Sequence, residues 1–301
     1  MTALPQLTGQ RSSSRATPGR ASSRRRATRR LWAAGSVLAV VVLAVSLAPL
    51  LAHGSPDAQD LSLGAIPPLE SLAHPLGTDQ LGRDLLARLL YGGRSVLVVA
   101  GLAAVLAGVV GLALGMLAGY VSGAADTILS RVTEIQLAIP TILLAIVVIG
   151  MGATGVPVLV LVLVLAEWPL FFRLSRGLVS RLRTQAYVTA AKTYGASSAR
   201  IVVKHLGRAV LPTAVIAFTL TLANAIALAA SLSYIGLGVQ PPQSDWGSMV
   251  AQGQSELASS WWIAVLPGLA IAVFVYAANR LGDGLSTLWS TGRTQGDAEI
   301  V

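Results

Sequence analysis

Long apolar runs separated by short polar segments dominate the pattern of this chain. Four runs contain no Asp, Glu, Lys or Arg, and they cover residues 95–125, 135–166, 209–244 and 257–279. The hydrocarbon core of a bilayer is about 30 Å thick, and a helix needs about 20 apolar residues to cross it. Each run is long enough for one span, and the second can hold two short ones. Because no water satisfies the backbone inside a bilayer, the runs predict helices.

The same pattern argues against the other architectures open to a hydrophobic chain. Transmembrane β-strands alternate polar and apolar residues with a period of two, and this alternation is absent. A soluble domain needs more charge on its surface than this chain has, with 54% hydrophobic residues, 12% charged residues and a mean hydropathy of +0.69. The predicted fold class is an all-α polytopic membrane protein with about six transmembrane helices.

The ends of the chain differ from its centre. Residues 1–30 are rich in Ser, Arg and Thr and are predicted to form a disordered basic cytoplasmic tail. A first transmembrane helix is predicted at residues 31–52. A cleaved signal is the competing interpretation, but the run is longer than a typical signal core and lacks a clear cleavage site, which favours a retained helix. Residues 53–93 form an external segment, 94–284 the core with five further spans, and 285–301 a cytoplasmic tail.

Turn and charge signals divide the core into five helices. They are a second span at residues 94–120, a third after a turn at 122–126, a fourth after a glycine- and proline-rich hairpin at 150–157, a fifth at 210–234 and a sixth at 261–279. The fourth span is predicted to end near residues 167–172. Glu167 and Arg173 are therefore expected at the membrane interface.

The placement of basic residues orients these helices. The net charge is +9, and eight of the 22 Lys and Arg residues lie in residues 1–30. Eight more lie between Arg173 and Arg208, whereas residues 236–260 carry only Asp245 and Glu256. Clusters of Lys and Arg stay on the cytoplasmic side of a membrane, so both termini are predicted to be cytoplasmic. The clustering also argues against a nucleic-acid partner.

No motif for enzyme chemistry is present. The chain has no cysteine, which excludes disulfides and thiol catalysis, and His53, His74 and His205 are too isolated to predict a metal site. A phosphate-binding loop, a His-Glu-x-x-His motif and a Gly-x-Ser-x-Gly motif are all missing. We therefore expect no enzymatic activity, no cofactor bound by this chain, and no ATP hydrolysis by it.

Small residues recur along the second span. Gly111, Gly115 and Gly119 are spaced by four, and Gly123 follows at the same interval. Such a spacing puts the residues on one helix face and lets another backbone approach closely. Packing within the chain and a seam against a second membrane subunit both explain this pattern.

The basic segment at residues 184–212 predicts a compact cytoplasmic hairpin. Thr184 is expected to cap a short helix, and Gly195 to end it in the left-handed conformation. Ser197 or Ser198 is expected to cap a second short helix that runs to about His205. One face of the first helix is aromatic at both ends and small in the middle, as a hydrophobic partner groove requires, and consists of Tyr187, Ala190, Ala191 and Tyr194. By itself, the hairpin could equally rest on lipid headgroups.

This segment resembles the coupling loop of ABC importer permeases, known as the EAA motif. Ala190, Ala191 and Gly195 match the motif, whereas Thr189 replaces its glutamate. Residues 207–209 replace the usual Leu-Pro-Asn, and Leu211-Pro212 supplies a proline slightly later. In the family, this loop docks in a cleft of the cytoplasmic ATPase. The resemblance assigns ATPase coupling to Tyr187, Ala190, Ala191, Tyr194, Gly195, Ala196 and Pro212.

Three more segments resemble the second, C-type permease of dipeptide, oligopeptide and nickel importers. The segment before the second span contains Gly77, Thr78, Asp79, Gly82, Arg83 and Asp84. The loop between the fifth and sixth spans contains Gly236, Gly238, Pro241, Pro242, Trp246 and Gly247. The third segment is residues 279–284. The glycines and prolines are expected to fix a rigid external turn, and the charged residues to form an ion-pair network or contact a docked binding protein.

The resemblance implies a type I ABC importer permease and a specific set of partners. These are a homologous permease subunit, two ABC ATPases that hold ATP and Mg²⁺, an extracytoplasmic substrate-binding lipoprotein and the lipid bilayer of the bacterial cytoplasmic (inner) membrane. Import of di- or oligopeptides is the expected function, with nickel or metal-chelate import as the alternative. A membrane enzyme would need paired His or carboxylates at membrane depth, and a secondary transporter would need an internal repeat, and neither is evident.

Overall fold

The computed structural model describes residues 20–52, 54–152, 155–240 and 242–296, and helices dominate all four ranges. The helices are α1 (Arg20–Ser46), α2 (Ala48–Leu51), α3 (Leu85–Val121), α4 (Ala124–Ala138), α5 (Thr141–Gly150), α6 (Val156–Leu182), α7 (Ala186–Thr193), α8 (Ser198–Arg200), α9 (Gly207–Tyr234), α10 (Trp246–Gly253) and α11 (Trp262–Gly296). Within these ranges, β pairing is limited to one isolated bridge between Thr78 and Asp84. The predicted all-α fold class is confirmed.

The described helices account for about six membrane crossings, as predicted. Four are long and apolar enough to span a bilayer, at Leu85–Val121, Val156–Leu182, Ser198–Tyr234 and Trp262–Trp289. The helices α4 and α5 pass the same test together as one broken span, bent by 89°. The apolar part of α1, Leu31–Ser46, is a shorter apolar helix that brings the number of candidate crossings to six. The chain is a multi-pass membrane protein.

The first helix begins earlier than the sequence suggested. Residues 1–19 of the predicted tail lie outside the described residues, but residues 20–30 belong to α1. Arg and Ala have high helix propensities, so a helix that starts in the membrane extends readily through this basic stretch. The prediction of disorder for residues 20–30 was therefore wrong.

The second span also starts early, at Leu85 instead of residue 94. The Asp84 carboxylate caps it by accepting a hydrogen bond of 2.8 Å from the Ala87 amide. The predicted external segment therefore ends at Asp84, not at residue 93. Arg88, which sequence analysis placed outside the helix, lies in its first turns and is only 2% exposed.

A proline divides the predicted third span. Ile139 is extended, with ψ of 120°, and Pro140 precedes the first residue of α5. Proline cannot donate a backbone hydrogen bond, and it disfavours helical backbone at the residue before it, so the helix ends there. The predicted glycine-rich hairpin does separate α5 from α6, with positive φ at Gly152 and Gly155, while residues 153–154 lie outside the described residues.

Two other helices run past their predicted ends. The fourth span does not end near residues 167–172 but continues as α6 to Leu182. The last helix continues to Gly296, so residues 285–296 of the predicted tail are helical, and residues 297–301 lie outside the described part. In both cases charged residues marked the edge of the apolar run, and the backbone remained helical beyond it.

The glycine stripe of α3 packs against α6 within the chain. A Cβ atom at Gly111 would lie 2.4 Å from the Trp168 carbonyl oxygen, and one at Gly115 would lie 2.1 Å from the Ser175 hydroxyl oxygen. Gly119 is equally close to α6. Gly123 lies outside the stripe, because it has a φ of +68° and no such neighbour. The glycines allow two parallel backbones to touch, which favours packing within the chain over a seam with another subunit.

The bundle has two different ends. At one end, which we call the Thr78 end, α3 and α11 begin, and the indole of Trp262 donates a hydrogen bond of 3.1 Å to the Thr78 carbonyl. The helix α10 closes this end with the buried Trp246, whose indole donates to the Leu89 carbonyl at 2.8 Å. At the other end, which we call the Gly195 end, α3 finishes and α7 packs beside it.

Candidate coupling surface and external network

A glycine elbow follows the short helix α7. Gly195 has a φ of +79°, a conformation that glycine adopts without steric cost. Its amide donates to the Lys192 carbonyl at 2.9 Å, and the Ala196 amide donates to the Ala191 carbonyl at 3.0 Å. This pair of bonds is the Schellman arrangement, which satisfies the last carbonyls of a helix. Gly195 ends the helix in the left-handed conformation that the sequence predicted.

The predicted caps on either side of the elbow differ in outcome. Ser197 caps α8, because its hydroxyl accepts from the Arg200 amide at 3.4 Å. Thr184 does not cap α7, because its hydroxyl donates to the Arg181 carbonyl at 3.2 Å, and Gln185 occupies the cap position without a side-chain hydrogen bond. Because α6 continues to Leu182 and α7 begins only at Ala186, Gln185 and not Thr184 directly precedes α7.

The predicted partner face of α7 is largely exposed. Tyr194 is 90% exposed, Tyr187 is 45% exposed, and Ala190 lies exposed between them. Ala191 is half-buried and turns toward the protein, where Val188 is fully buried. The face presented outward is therefore Tyr187, Ala190 and Tyr194. Ala191 belongs to the anchoring side of the helix.

The position of the missing glutamate faces outward as well. Thr189 is exposed, and its hydroxyl donates to the Gln185 carbonyl at 3.4 Å. A carboxylate at this position would likewise lie on the exposed side of α7.

The hairpin continues directly into a membrane helix. The second short helix was predicted to end near His205. Instead, there is no break between α8, one π-helical turn at Ile201–Leu206, and α9. Pro212 lies inside α9 and does not end a helix. Ile201 and Leu206 are fully buried and hold this junction against Val188. The elbow is therefore attached rigidly to the span that follows it.

The hairpin is also fixed to the end of α3. The Lys192 ammonium lies 5.2 Å from the centre of the Tyr120 ring, and Arg183 donates to the Tyr120 carbonyl at 3.3 Å. Nearby, Arg176 on α6 forms a two-bond ion pair with Asp126 on α4, one of whose bonds measures 2.9 Å. The Lys192 contact connects α7 to α3, and the other contacts connect α6 to α3 and α4 at the Gly195 end.

The charged motif before α3 forms a buried network at the opposite end. Asp79 is 3% exposed and accepts from Arg88 and from the Arg83 side chain, the latter at 2.6 Å. Arg88 also donates to Ser244 at 3.2 Å and to Gln252 at 3.1 Å. Asp79 and Arg83 therefore form an ion-pair network as predicted, whereas Asp84 lies outside it and caps α3. The network connects the segment before α3 to the loop and helix after α9.

The other residues of this motif allow close backbone contacts within the external segment. A Cβ atom at Gly77 would lie 2.3 Å from the Ile66 carbonyl oxygen, and one at Gly82 would lie 1.7 Å from the Asp60 carbonyl oxygen. Thr78 accepts from the Ile66 amide at 2.9 Å. The Ser62 hydroxyl and amide hydrogen bonds hold the pKa of Asp60 below its ordinary value. The motif therefore folds the external segment onto itself.

The second external motif closes the Thr78 end. Gly236 has a φ of +84°, and a Cβ atom at Gly238 would collide with Ser233. Pro242 lies in an exposed turn, and Pro241 lies outside the described residues. Gly247 packs on the Ala230 carbonyl beside the buried Trp246. Sequence analysis predicted a rigid turn here but missed α10, whose first turn is capped by Asp245.

Glu167 was placed wrongly. It lies near the middle of α6, not at its end, and it is half-buried. It forms no hydrogen bond or ion pair with another described residue.

Among the described residues, no group of three or more His, Cys, Asp or Glu side chains is arranged to hold a metal ion. His74 contacts Asp84 at 3.1 Å, and His53 lies outside the described residues.

Comparison with known proteins identifies the family. Residues 111–288 match the family described as binding-protein-dependent transport system inner membrane component. The chain belongs to this family. It is therefore a membrane permease component of a transport system that works with a binding protein. The matched region contains the α7–α8 hairpin, both proline-containing spans that flank it, and α10.

Two relatives and one solved structure extend this result. The chain is 35% identical to the probable D,D-dipeptide transport system permease protein of Escherichia coli K12, over 84% of each chain. It is also 35% identical to the di/tripeptide transport system permease protein of Pseudomonas aeruginosa, over 82% of each. The inward-facing MetNI methionine ABC transporter is similar in fold, with a TM-score of 0.52 and 21% identity over 65% of this permease and 93% of that chain.

Proposed function

We propose that the permease is one of two homologous membrane subunits of an ATP-binding-cassette importer that carries di- or oligopeptides into the cell. The names of the relatives support the substrate class, because both are peptide transport permeases. Two partner ATPases bind ATP and Mg²⁺ and hydrolyse the nucleotide, and this chain binds neither. A substrate-binding lipoprotein delivers the peptide from outside.

The exposed face of α7 carries this proposal. Tyr187 and Tyr194 flank Ala190, so two aromatic rings border a small central surface. Such a face fits an apolar groove on another protein. Closure of the ATPase pair moves this face, and the unbroken connection to α9 carries the motion into the membrane.

The proposed orientation places the Gly195 end in the cytoplasm and the Thr78 end outside. The basic clusters at residues 1–30 and 173–208 support it, because Lys and Arg near membrane helices remain inside. In this orientation the Asp79 network and α10 face the binding lipoprotein, and both termini are cytoplasmic.

Substitution at the elbow tests the coupling role. Gly195→Val places a β-branched residue at a φ of +79°, where such residues are genuine outliers. In the assembled transporter, reconstituted in liposomes, we expect ATP hydrolysis to become independent of peptide and peptide uptake to fall at least about tenfold, because the strain changes the elbow at a cost of about 1–3 kcal/mol. Normal uptake by this variant would contradict the coupling role.

Gly177→Val is the matched control for the elbow. Gly177 is exposed on α6 with an ordinary helical backbone, and no atom lies within 4 Å of the position a Cβ atom would take. We expect this variant to assemble and transport as the unmodified protein does.

Competition experiments test the substrate class. Uptake of a labelled dipeptide by the reconstituted transporter should be inhibited by unlabelled di- and tripeptides and unaffected by nickel chelates. Nickel uptake without peptide uptake would replace the peptide proposal with metal import and leave the coupling role intact.

A further inference from the structure

A groove between the first and last helices is unused by the proposed transport mechanism. It has a volume of about 510 Å³ and lies between α1 and α11. Its walls are small or apolar, with Ala33 and Val37 on α1 and Ala272 and Val273 on α11. A water molecule occupies about 30 Å³ and needs two to four polar partners, which these walls do not provide. The groove therefore suits an apolar occupant.

One end of this groove carries an arginine side chain that is held in place by a neighbouring tyrosine. The Arg280 guanidinium lies 5.1 Å from the centre of the Tyr276 ring, and its Nε donates to the Tyr276 hydroxyl at 3.1 Å. Tyr276 is its hydrogen-bond partner among the described residues, and no described carboxylate, including the nearby exposed Asp283, forms a salt bridge with it. The terminal N–H groups of Arg280 remain available for an anion. A guanidinium group can bind phosphate through two parallel hydrogen bonds.

The depth of Arg280 matches a membrane interface. It follows Trp262, at the Thr78 end, by 18 residues of continuous helix, which corresponds to about 27 Å of a hydrocarbon core about 30 Å thick. The exposed Trp32 and Arg29 lie at the neighbouring end of the apolar part of α1. Tryptophan and basic residues favour this interface.

The length of the groove matches one leaflet. From Arg280 to Ala272 the helix rises about 12 Å, slightly less than half of the hydrocarbon thickness. An occupant must therefore have an acyl chain about one leaflet deep and an anionic head at the interface.

We propose that this groove is a binding site for an anionic phospholipid, with the phosphate on Arg280 and one acyl chain between α1 and α11. A protein partner would need a carboxylate at interface depth directly beside apolar side chains, whereas a phospholipid combines both features. The assignment to the cytoplasmic leaflet rests on the proposed orientation. The site itself depends on neither the orientation nor the peptide substrate.

Removal of the charge tests headgroup recognition. The purified full-length chain is placed in nanodiscs of mixed phosphatidylglycerol and phosphatidylcholine, and retained lipids are counted by native mass spectrometry. A basic residue near a membrane surface strengthens binding of anionic lipid about fivefold, so Arg280→Gln should reduce the ratio of retained phosphatidylglycerol to phosphatidylcholine by about that factor. Arg131→Gln, at an exposed arginine of α4 whose charge is already paired with Glu134 at 2.6 Å, should leave the ratio unchanged. An unchanged ratio in Arg280→Gln would overturn the proposal.

Filling the groove tests the acyl-chain part. Ala272→Leu places a larger side chain in the groove and should reduce retention of both lipids, while Ala138→Leu, at an exposed alanine of α4, should not. Equal retention in both variants would overturn this part.

The occupant can also be identified directly in the assembled transporter. The chain has no native cysteine, so Val273→Cys provides a single reactive thiol on the groove wall. Reaction with a lipid-soluble maleimide, blocked by added phosphatidylglycerol, is the expected result. A disulfide or short crosslink to the partner permease or to a second copy would show that protein covers the groove, and the lipid proposal would then be wrong.

Discussion

At the scale of single residues, two ion pairs of the permease show how burial changes the value of a charge. Asp79 and Arg88 pair at 3% and 2% exposure, whereas the side chains of Arg131 and Glu134 pair at 74% and 61% exposure. Loss of one partner of a buried pair leaves an uncompensated charge without water. An exposed pair loses little, because both charges remain hydrated.

Removal of one carboxylate should therefore destabilise the Thr78 end. Asp79→Ala leaves Arg88 buried beside Arg83 without their shared carboxylate, and the free energy of unfolding should fall by about 3–5 kcal/mol. Glu134→Ala is the matched control and should cost no more than about 1 kcal/mol. Thermal unfolding of the detergent-solubilised chain, followed by tryptophan fluorescence, measures both. Similar midpoints for the two variants would contradict the role given to the buried network.

Residues whose role is local were predictable from sequence. Gly195 and Ser197 act within three positions of themselves, so the elbow and its second cap followed from turn chemistry alone. Thr184 failed as a cap because its role depends on where α6 ends. Arg88 was placed outside the helix because the uncharged run begins only at residue 95, and its partners Ser244 and Gln252 are more than 150 positions away. Sequence reasoning does not reach contacts of that range.

At the scale of elements, the contact between α3 and α6 organises the membrane bundle. Gly111, Gly115 and Gly119 remove side chains where the two helices touch, and Phe171, Phe172 and Val179 of α6 are buried there. The Ser175 hydroxyl is buried in the same contact and donates to the Phe171 carbonyl at 2.8 Å. The helices cannot separate without losing this close approach.

A single methyl group should disturb this contact. At Gly115, a Cβ atom would lie 2.1 Å from the Ser175 hydroxyl oxygen and 2.4 Å from the Phe172 carbonyl oxygen, so Gly115→Ala forces the backbones apart. Overpacking of this kind costs about 1–3 kcal/mol. Gly101→Ala on the same helix meets no atom within 4 Å and should be neutral or slightly stabilising. Thermal midpoints and the yield of folded protein distinguish them, and equal behaviour would refute the packing role.

The existence of the elements was easier to predict than their ends. The apolar runs identified every long span, because burial in lipid requires about 20 apolar residues. The predicted ends of α6 and α11 were wrong, because charged residues mark the edge of the membrane and not the last backbone hydrogen bond of a helix. The helix α10 was missed because its eight residues are held by Trp246 on α3, a tertiary contact without a periodic signal. The break at Pro140 was readable from the proline, and sequence analysis overlooked it.

At the scale of the whole molecule, the permease places different chemistry at its two ends. The Thr78 end is closed by buried tryptophans and the Asp79 network. The Gly195 end presents exposed aromatic residues and most of the basic charge of the core. The asymmetry predicts which end faces which compartment.

Labelling of single cysteines measures that orientation. The natural chain contains no cysteine, so Leu72→Cys and Thr193→Cys each introduce one exposed thiol, at the Thr78 end and in α7 respectively. In intact cells without an outer barrier, a membrane-impermeant maleimide should react with Leu72→Cys and should reach Thr193→Cys only after the membrane is opened. The reverse pattern would refute the proposed topology, and with it the docking of cytoplasmic ATPases on α7.

The unbroken stretch Ser198–Tyr234 has a mechanical consequence. It contains 37 residues and is about 55 Å long as a continuous helix. A rotation of only about 5° around its Tyr234 end sweeps the elbow through about 5 Å, a helix pitch. A partner that shifts α7 by one such pitch would thus tilt the whole helix without unwinding it, and its Tyr234 end would receive a change of angle.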